Sequence, residues 1–282
     1  AGSLTPPTDC APCHGNYDTA GEPYFNWQGS MMAHASRDPL FEACLAVANQ
    51  DAPDSGDLCL RCHISAGWLQ GRSVPTSGTQ MLSTDMFGVS CDLCHRLVDP
   101  VPNAANPSED TAILAALAAI PDDFANGMYV VDPVGTRRRG PFTVSAPHAT
   151  LVSPFHREAA VCGTCHDVSN SAFTKDGGGN YPPNPFDTPP ASTSSLELMP
   201  IERTFSEWLN SEYASTGVHA PQFSGRPDGF VYVCQDCHMK AVTGRGCDTG
   251  PIRSDLPLHD MTGGSTWLAS LLPALYPGEV NA

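Results

Sequence analysis

Long apolar runs are missing from this chain of 282 residues. The longest, Ala112 to Ile120, is far short of the ~20 residues that cross a bilayer, so no membrane span is expected. Periodic apolar segments of the kind that build an ordinary core are also scarce. Only 41% of the chain is hydrophobic, and 25 Gly and 27 Pro interrupt it throughout. Basic residues are few: 14 Lys and Arg stand against 30 Asp and Glu, a formal charge of −16. So acidic a surface argues against nucleic acid and anionic membranes as partners, and suits solubility, cationic partners or metal ions. A βαβ pattern is absent, and so is a fixed repeat length, which argues against a solenoid. The sequence opens at Ala1 without Met and without a signal-peptide pattern, as expected of a processed, exported protein.

Cysteine, by contrast, is plentiful, and ten of the 12 Cys fall in one repeated word. Cys10-Ala-Pro-Cys13-His14, Cys59-Leu-Arg-Cys62-His63, Cys91-Asp-Leu-Cys94-His95, Cys162-Gly-Thr-Cys165-His166 and Cys234-Gln-Asp-Cys237-His238 all read C-x-x-C-H. At this composition chance supplies roughly 0.02 copies of such a pattern. The spacing has a chemical reason. Two thiols three residues apart lie on one side of a helical turn, where they can add to the two vinyl groups on one porphyrin edge. The imidazole that follows can then ligate the iron. C-x-x-C-H is accordingly the attachment pattern of c-type haem. A zinc ribbon would pair the C-x-x-C units and needs no His after each. A thioredoxin-type motif is usually single and sits in a βαβ unit, and a disulfide scaffold does not explain five His. The expectation is five covalently attached haem c groups. They would supply the missing apolar core, giving a mostly irregular, loop-rich fold with short α-helices and little β, wrapped around a chain of haems.

Five His lie outside the motifs: His34, His148, His156, His219 and His259. Taken singly, each would be assigned a structural role. Set against five irons, they match one to one as distal ligands. Iron held by two His is closed to substrate and suited to electron transfer, whereas an enzyme needs an open position. Met31, Met32 and Met239 are other candidate sixth ligands, although Met more often fills core gaps. Which His serves which iron is not readable. Two Cys remain, Cys44 and Cys247. In an oxidising compartment they are expected to form a disulfide, with two separate buried thiols as the alternative. The run Arg137-Arg138-Arg139 reads either as a solvated turn or as a set of forks for propionates or neighbouring carboxylates.

Local signals place a helix from Asp38-Pro39 to about Asn49, with Asp as N-cap and Pro at the first position. Others are expected over Ser108 to Ile120, stopped by Pro121, over Glu202 to Ala214, and over Trp267 to Leu275. Residues 176–195, rich in Gly, Pro and Ser, are expected to form a loop within a single domain of 1–282. One haem per about 56 residues is too dense to keep porphyrins apart in a domain of ordinary compactness.

The words around the His add a resemblance. Trp27-Gln-Gly-Ser-Met-Met-Ala-His34-Ala-Ser-Arg-Asp-Pro-Leu-Phe41, Ser153-Pro-Phe-His156, Cys162-Gly-Thr-Cys165-His166-Asp-Val, Cys234-Gln-Asp-Cys237-His238-Met and His259-Asp-Met-Thr-Gly-Gly264 resemble blocks of extracellular multihaem cytochromes of metal-reducing microbes, those that polymerise into filaments called cytochrome nanowires. The resemblance implies bis-His haems in a continuous chain and a secreted homopolymer, in which one haem can take a His from the neighbouring subunit. Redox proteins or extracellular metal oxides would be its partners. The relatives carry four, six or eight haems, so five is a departure. Octahaem enzymes acting on sulfur or nitrogen compounds are also similar. Pentahaem nitrite reductases differ, because their special motif ends in Lys and all five motifs here end in His. The readings carried forward are a non-enzymatic electron conduit in an extracellular filament, a soluble periplasmic or surface carrier, and a multihaem oxidoreductase with one open iron.

Overall fold

Helices in this chain are short because few segments have a continuous apolar face to bury. The computed structural model describes residues 2–277; Ala1 and residues 278–282, part of the expected domain of 1–282, lie outside the described residues. The chain divides into two compact units, Ala1–His95 with Val218–Ala282, and Arg96–Gly217. No boundary falls within 176–195.

In the first unit the longest helix is Pro39–Asp51. Asp38 caps it by accepting the Leu40 N–H, and Pro39 sits where no helical N–H bond is lost. Its inner face contributes Phe41 and Leu45 to a cluster with Leu60 and Ile64, against which Cys59, Trp68, Met81 and Met86 pack. Asn49 ties this helix to the next, Gly56–His63: its side-chain amide donates to the Thr76 carbonyl at 2.9 Å and its side-chain oxygen accepts the Gly56 N–H at 3.2 Å. Two antiparallel ribbons follow, Val218–His219 with Phe230–Val231, and Ala241–Arg245 with Ile252–Pro257. The helix Thr266–Leu275 is capped by Ser265, which accepts the Leu268 N–H.

The second unit has three two-stranded ribbons. Leu97–Val98 pairs with Val130–Val131 and Val168–Thr174 with Leu198–Glu202, both antiparallel, while Arg137–Gly140 pairs with Ala149–Val152 in parallel. Val98, Leu114 and Val130 form an apolar cluster in it. Beside them lies a buried ionic cluster. Arg139 is 1% exposed, and its guanidinium meets both Asp110 and Asp132; Arg137 donates to Asp132 at 2.6 Å. Arg96, also fully buried, donates to the Asp132 carbonyl. The three-arginine run is therefore a strand that pairs with acidic neighbours rather than a solvated turn. Burial pushes the Asp110 carboxyl up. At Asp132 the same effect is outweighed by hydrogen bonds from Arg137, the Val134 N–H and Arg139, which hold the group below the usual carboxylate range.

The helix expected over Ser108–Ile120 runs only Ser108–Ala115, because beyond Leu114 its residues face solvent. The one expected over Glu202–Ala214 is Thr204–Leu209, Glu202 being taken by a strand. Residues 176–195 form no helix or strand and connect the two paired strands Val168–Thr174 and Leu198–Glu202; a single bridge joins Phe173 to Pro183. The whole is loop-rich with short helices and, among the described residues, no sheet of more than two strands. No helix among the described residues is long and apolar enough to cross a membrane.

Candidate haem-attachment sites

Each C-x-x-C-H word folds into a helical turn. The motif helices are Ala11–His14, Gly56–His63, Cys91–Cys94, Ala160–Gly163 and Cys234–His238. The carbonyl of the first Cys accepts the His N–H, as from His14 to Cys10 at 3.0 Å, His95 to Cys91 at 2.9 Å and His166 to Cys162 at 2.9 Å, while His63 and His238 lie within their motif helices. That bond closes one turn and sets both thiols on the side from which the imidazole emerges. Ser90 caps the third motif by accepting the Leu93 N–H.

The imidazoles are then oriented by backbone carbonyls. Nδ1 of His14 lies 2.6 Å from the Gly246 carbonyl, Nδ1 of His63 is 2.9 Å from that of Ala35, and Nδ1 of His238 is 2.6 Å from that of Thr262. A carbonyl only accepts, so Nδ1 carries the proton and the lone pair is on Nε2, the nitrogen that ligates a metal when Nδ1 is held in this way. His259 shows the same pattern outside any motif, with Nδ1 2.9 Å from the Pro257 carbonyl. Burial first, and the neighbouring His95 second, push its pKa down to about 4, which keeps the imidazole neutral, as a metal ligand must be. The His95 and His259 ring centroids are 6.2 Å apart, with 23° between the planes.

The other spare His are placed differently. His34 is fully buried; its Nε2 is 3.1 Å from the Gln28 carbonyl, and its ring stacks on Tyr276 with centroids 5.8 Å apart. His219 ends the short strand Val218–His219 against the Phe230 ring. Gly229, at φ +72°, lies so close that a Cβ there would come within 3.0 Å of His219 Nε2. His156 lies in the 3-10 turn Pro154–Arg157, just ahead of the fourth motif, and His148 is half-buried before the strand Ala149–Val152. The first unit thus holds four motifs with His34, His219 and His259, and the second holds one motif with His148 and His156. The one-to-one match of the whole chain does not hold inside either unit.

Several of the motif thiols are in surroundings that disfavour the thiolate. Burial pushes Cys94 up to about 11 and raises Cys59, and a hydrogen bond with Cys10 together with burial raises Cys91 well above its usual value. Such groups stay as thiols, whereas zinc takes thiolates. Among the described residues, no group of three or more His, Cys, Asp or Glu comes together in a way that could hold a metal ion. Haem needs no such group, since the porphyrin brings four nitrogens and the chain only two thiols and its axial ligands. The residues fit that cofactor. Cys44 and Cys247 are both free thiols, so the expected disulfide is not formed; Cys44 lies close to Cys59 and Cys247 close to Tyr17.

The residues the sequence did not reveal are the orienting carbonyls of Ala35, Gly246, Pro257 and Thr262. A carbonyl is common to every residue, so no side-chain pattern marks it. The ribbon Ala241–Arg245 with Ile252–Pro257 groups three of them: Gly246 is in its turn, Pro257 at its end and Thr262 just beyond. Its turn also grips the first motif through Asp248 N–H to the Cys13 carbonyl at 2.8 Å.

The family model for cytochrome c554 and c-prime matches residues 9–96, a stretch that holds the first three motifs and His34. No curated protein and no solved structure matches the chain. The match over this stretch supports a multihaem c-type cytochrome, and with it electron transfer by covalently bound haem c.

Proposed function

We propose that the chain is a pentahaem electron conduit whose irons are all closed by two His, and that it works as one subunit of an extracellular filament. Cys10, Cys13, Cys59, Cys62, Cys91, Cys94, Cys162, Cys165, Cys234 and Cys237 attach the five groups. His14, His63, His95, His166 and His238 are the proximal ligands, and His34, His148, His156, His219 and His259 the distal ones. Bound haem supplies one-electron chemistry at iron. The chain's part is to hold imidazoles rigidly on both faces, so that little moves when an electron passes, and to keep water from the iron. The observation that carries this reading is the shared arrangement of His14, His63, His238 and the motif-free His259, each with Nδ1 on a backbone carbonyl.

The filament rests on the resemblance and on two features. The unit Arg96–Gly217 has one His more than its single motif uses, and the other unit one fewer than its four motifs use, so one distal ligand comes from outside its haem's own unit, and a neighbouring subunit is able to supply it. The Pro-rich loop also projects Phe186, 93% exposed, as a residue able to reach another copy. The three readings separate by experiment. An entirely low-spin ferric spectrum, with no carbon monoxide binding on reduction, is expected; a high-spin component that binds carbon monoxide would mark an oxidoreductase instead. Electron microscopy of native material should show filaments, and monomers at high concentration would leave a soluble periplasmic or surface carrier.

A further inference from the structure

Sequence could not pair any spare His with an iron, but one pair is legible in the geometry. An imidazole nitrogen lies about 1.1 Å from its ring centre and binds a metal at about 2 Å, so two imidazoles on opposite faces of one iron have centroids about 6.2 Å apart. The His95 and His259 centroids are separated by 6.2 Å. Ordinary stacking brings rings closer, as with Phe41 and His63 at 4.1 Å. His259 is half-buried, and its Nδ1 is held by the carbonyl of Pro257, the last residue of the ribbon, so the lone pair on Nε2 is directed by that anchored turn. His95 is fixed by the capped turn Cys91–Cys94. We infer that His259 is the sixth ligand of the iron attached at Cys91, Cys94 and His95, in the same chain and with its ring nearly parallel to that of His95. The inference rests on the reading of residues 91–95 as a haem site. It makes the closure of that iron depend on His259, 164 residues further along the chain than His95.

The rival partner for His259 is the first-motif iron, since His14 is also close enough to influence it. The experiment is electron paramagnetic resonance of the oxidised, fully haem-loaded protein, with intact mass as control. Near-parallel axial planes give a rhombic low-spin signal, whereas perpendicular planes give one displaced to a much larger g value. The wild type should show the rhombic signal. His259→Ala should convert one equivalent of it to high spin at unchanged haem content. In a Cys91→Ala/Cys94→Ala background, which lacks the third attachment, His259→Ala should change nothing further. Should the Ala variant fail to accumulate, His259→Met keeps six ligands and should raise the potential of one haem, as Met in place of His does. A His259→Ala protein that stays wholly low-spin, or a loss that persists in the double-Cys background, overturns the assignment. A wild type carrying no haem fails the underlying reading instead, and the mass reports that separately.

Discussion

At the scale of single residues, an imidazole's fitness as a ligand depends on what holds its other nitrogen. Gly246, Ala35, Thr262 and Pro257 do this through carbonyl oxygens, and no substitution of their own side chains removes that atom. Sensitivity should appear instead where space is the constraint. Gly229→Ala places a Cβ in the left-handed region and 3.0 Å from His219 Nε2. A loss of about 1–3 kcal/mol is expected from the backbone alone, read as a lower urea midpoint, with a shifted His219 visible as a changed low-spin signal. An unchanged midpoint would mean that the turn relaxes freely. The five motifs and the five spare His were legible because C-x-x-C-H is written in side chains at fixed local spacing. The pairing of His95 with His259 was not, because a distance set by tertiary packing has no local signature. Cys44 and Cys247 show the same limit: even number and compartment suggested a bridge, and their separate environments decided otherwise.

Among elements, local signals worked where capping and burial agree. Asp38-Pro39 starts the helix Pro39–Asp51, and the apolar residues it brings to the core sustain it. The helix from Ser108 was over-extended in the sequence because Ala-rich residues favour helix intrinsically, yet only Asp110 and Leu114 of Ser108–Ala115 are buried, and nothing stabilises a further turn. The ribbons were invisible since each joins short segments whose pairing is non-local. The Arg137–Gly140 strand carries a further consequence. Its Arg139 is balanced by Asp132 and Asp110, so Asp132→Asn leaves Arg137 and Arg139 short of a buried counter-charge. That should cost about 3–5 kcal/mol, measured by denaturant titration at neutral pH. The folded Asp132 carboxyl is held below its ordinary 3.8, so its contribution is fully present above that value and is lost as pH falls through the lower, folded one. The penalty of Asp132→Asn should therefore shrink in strong acid. A variant as stable as wild type at pH 7 would contradict the ionic account.

At the scale of the molecule, two of the apolar clusters among the described residues are small, with four and three buried residues. Five porphyrins would outweigh both, and anything that binds only the folded state adds its binding energy to stability. Protein made with the motif Cys replaced by Ala, and hence without haem, should lose its native circular dichroism; a native-like spectrum would show that the chain folds on its own core. The acidic charge of −16 rises further with the propionates, which suits a surface meeting cationic partners or metal oxides. All of this depends on how many haems one chain carries, and the intact mass of the native protein answers that most directly. The account predicts a single species heavier than the polypeptide by five haems. A species with fewer, or one whose mass is that of the polypeptide alone, would contradict it.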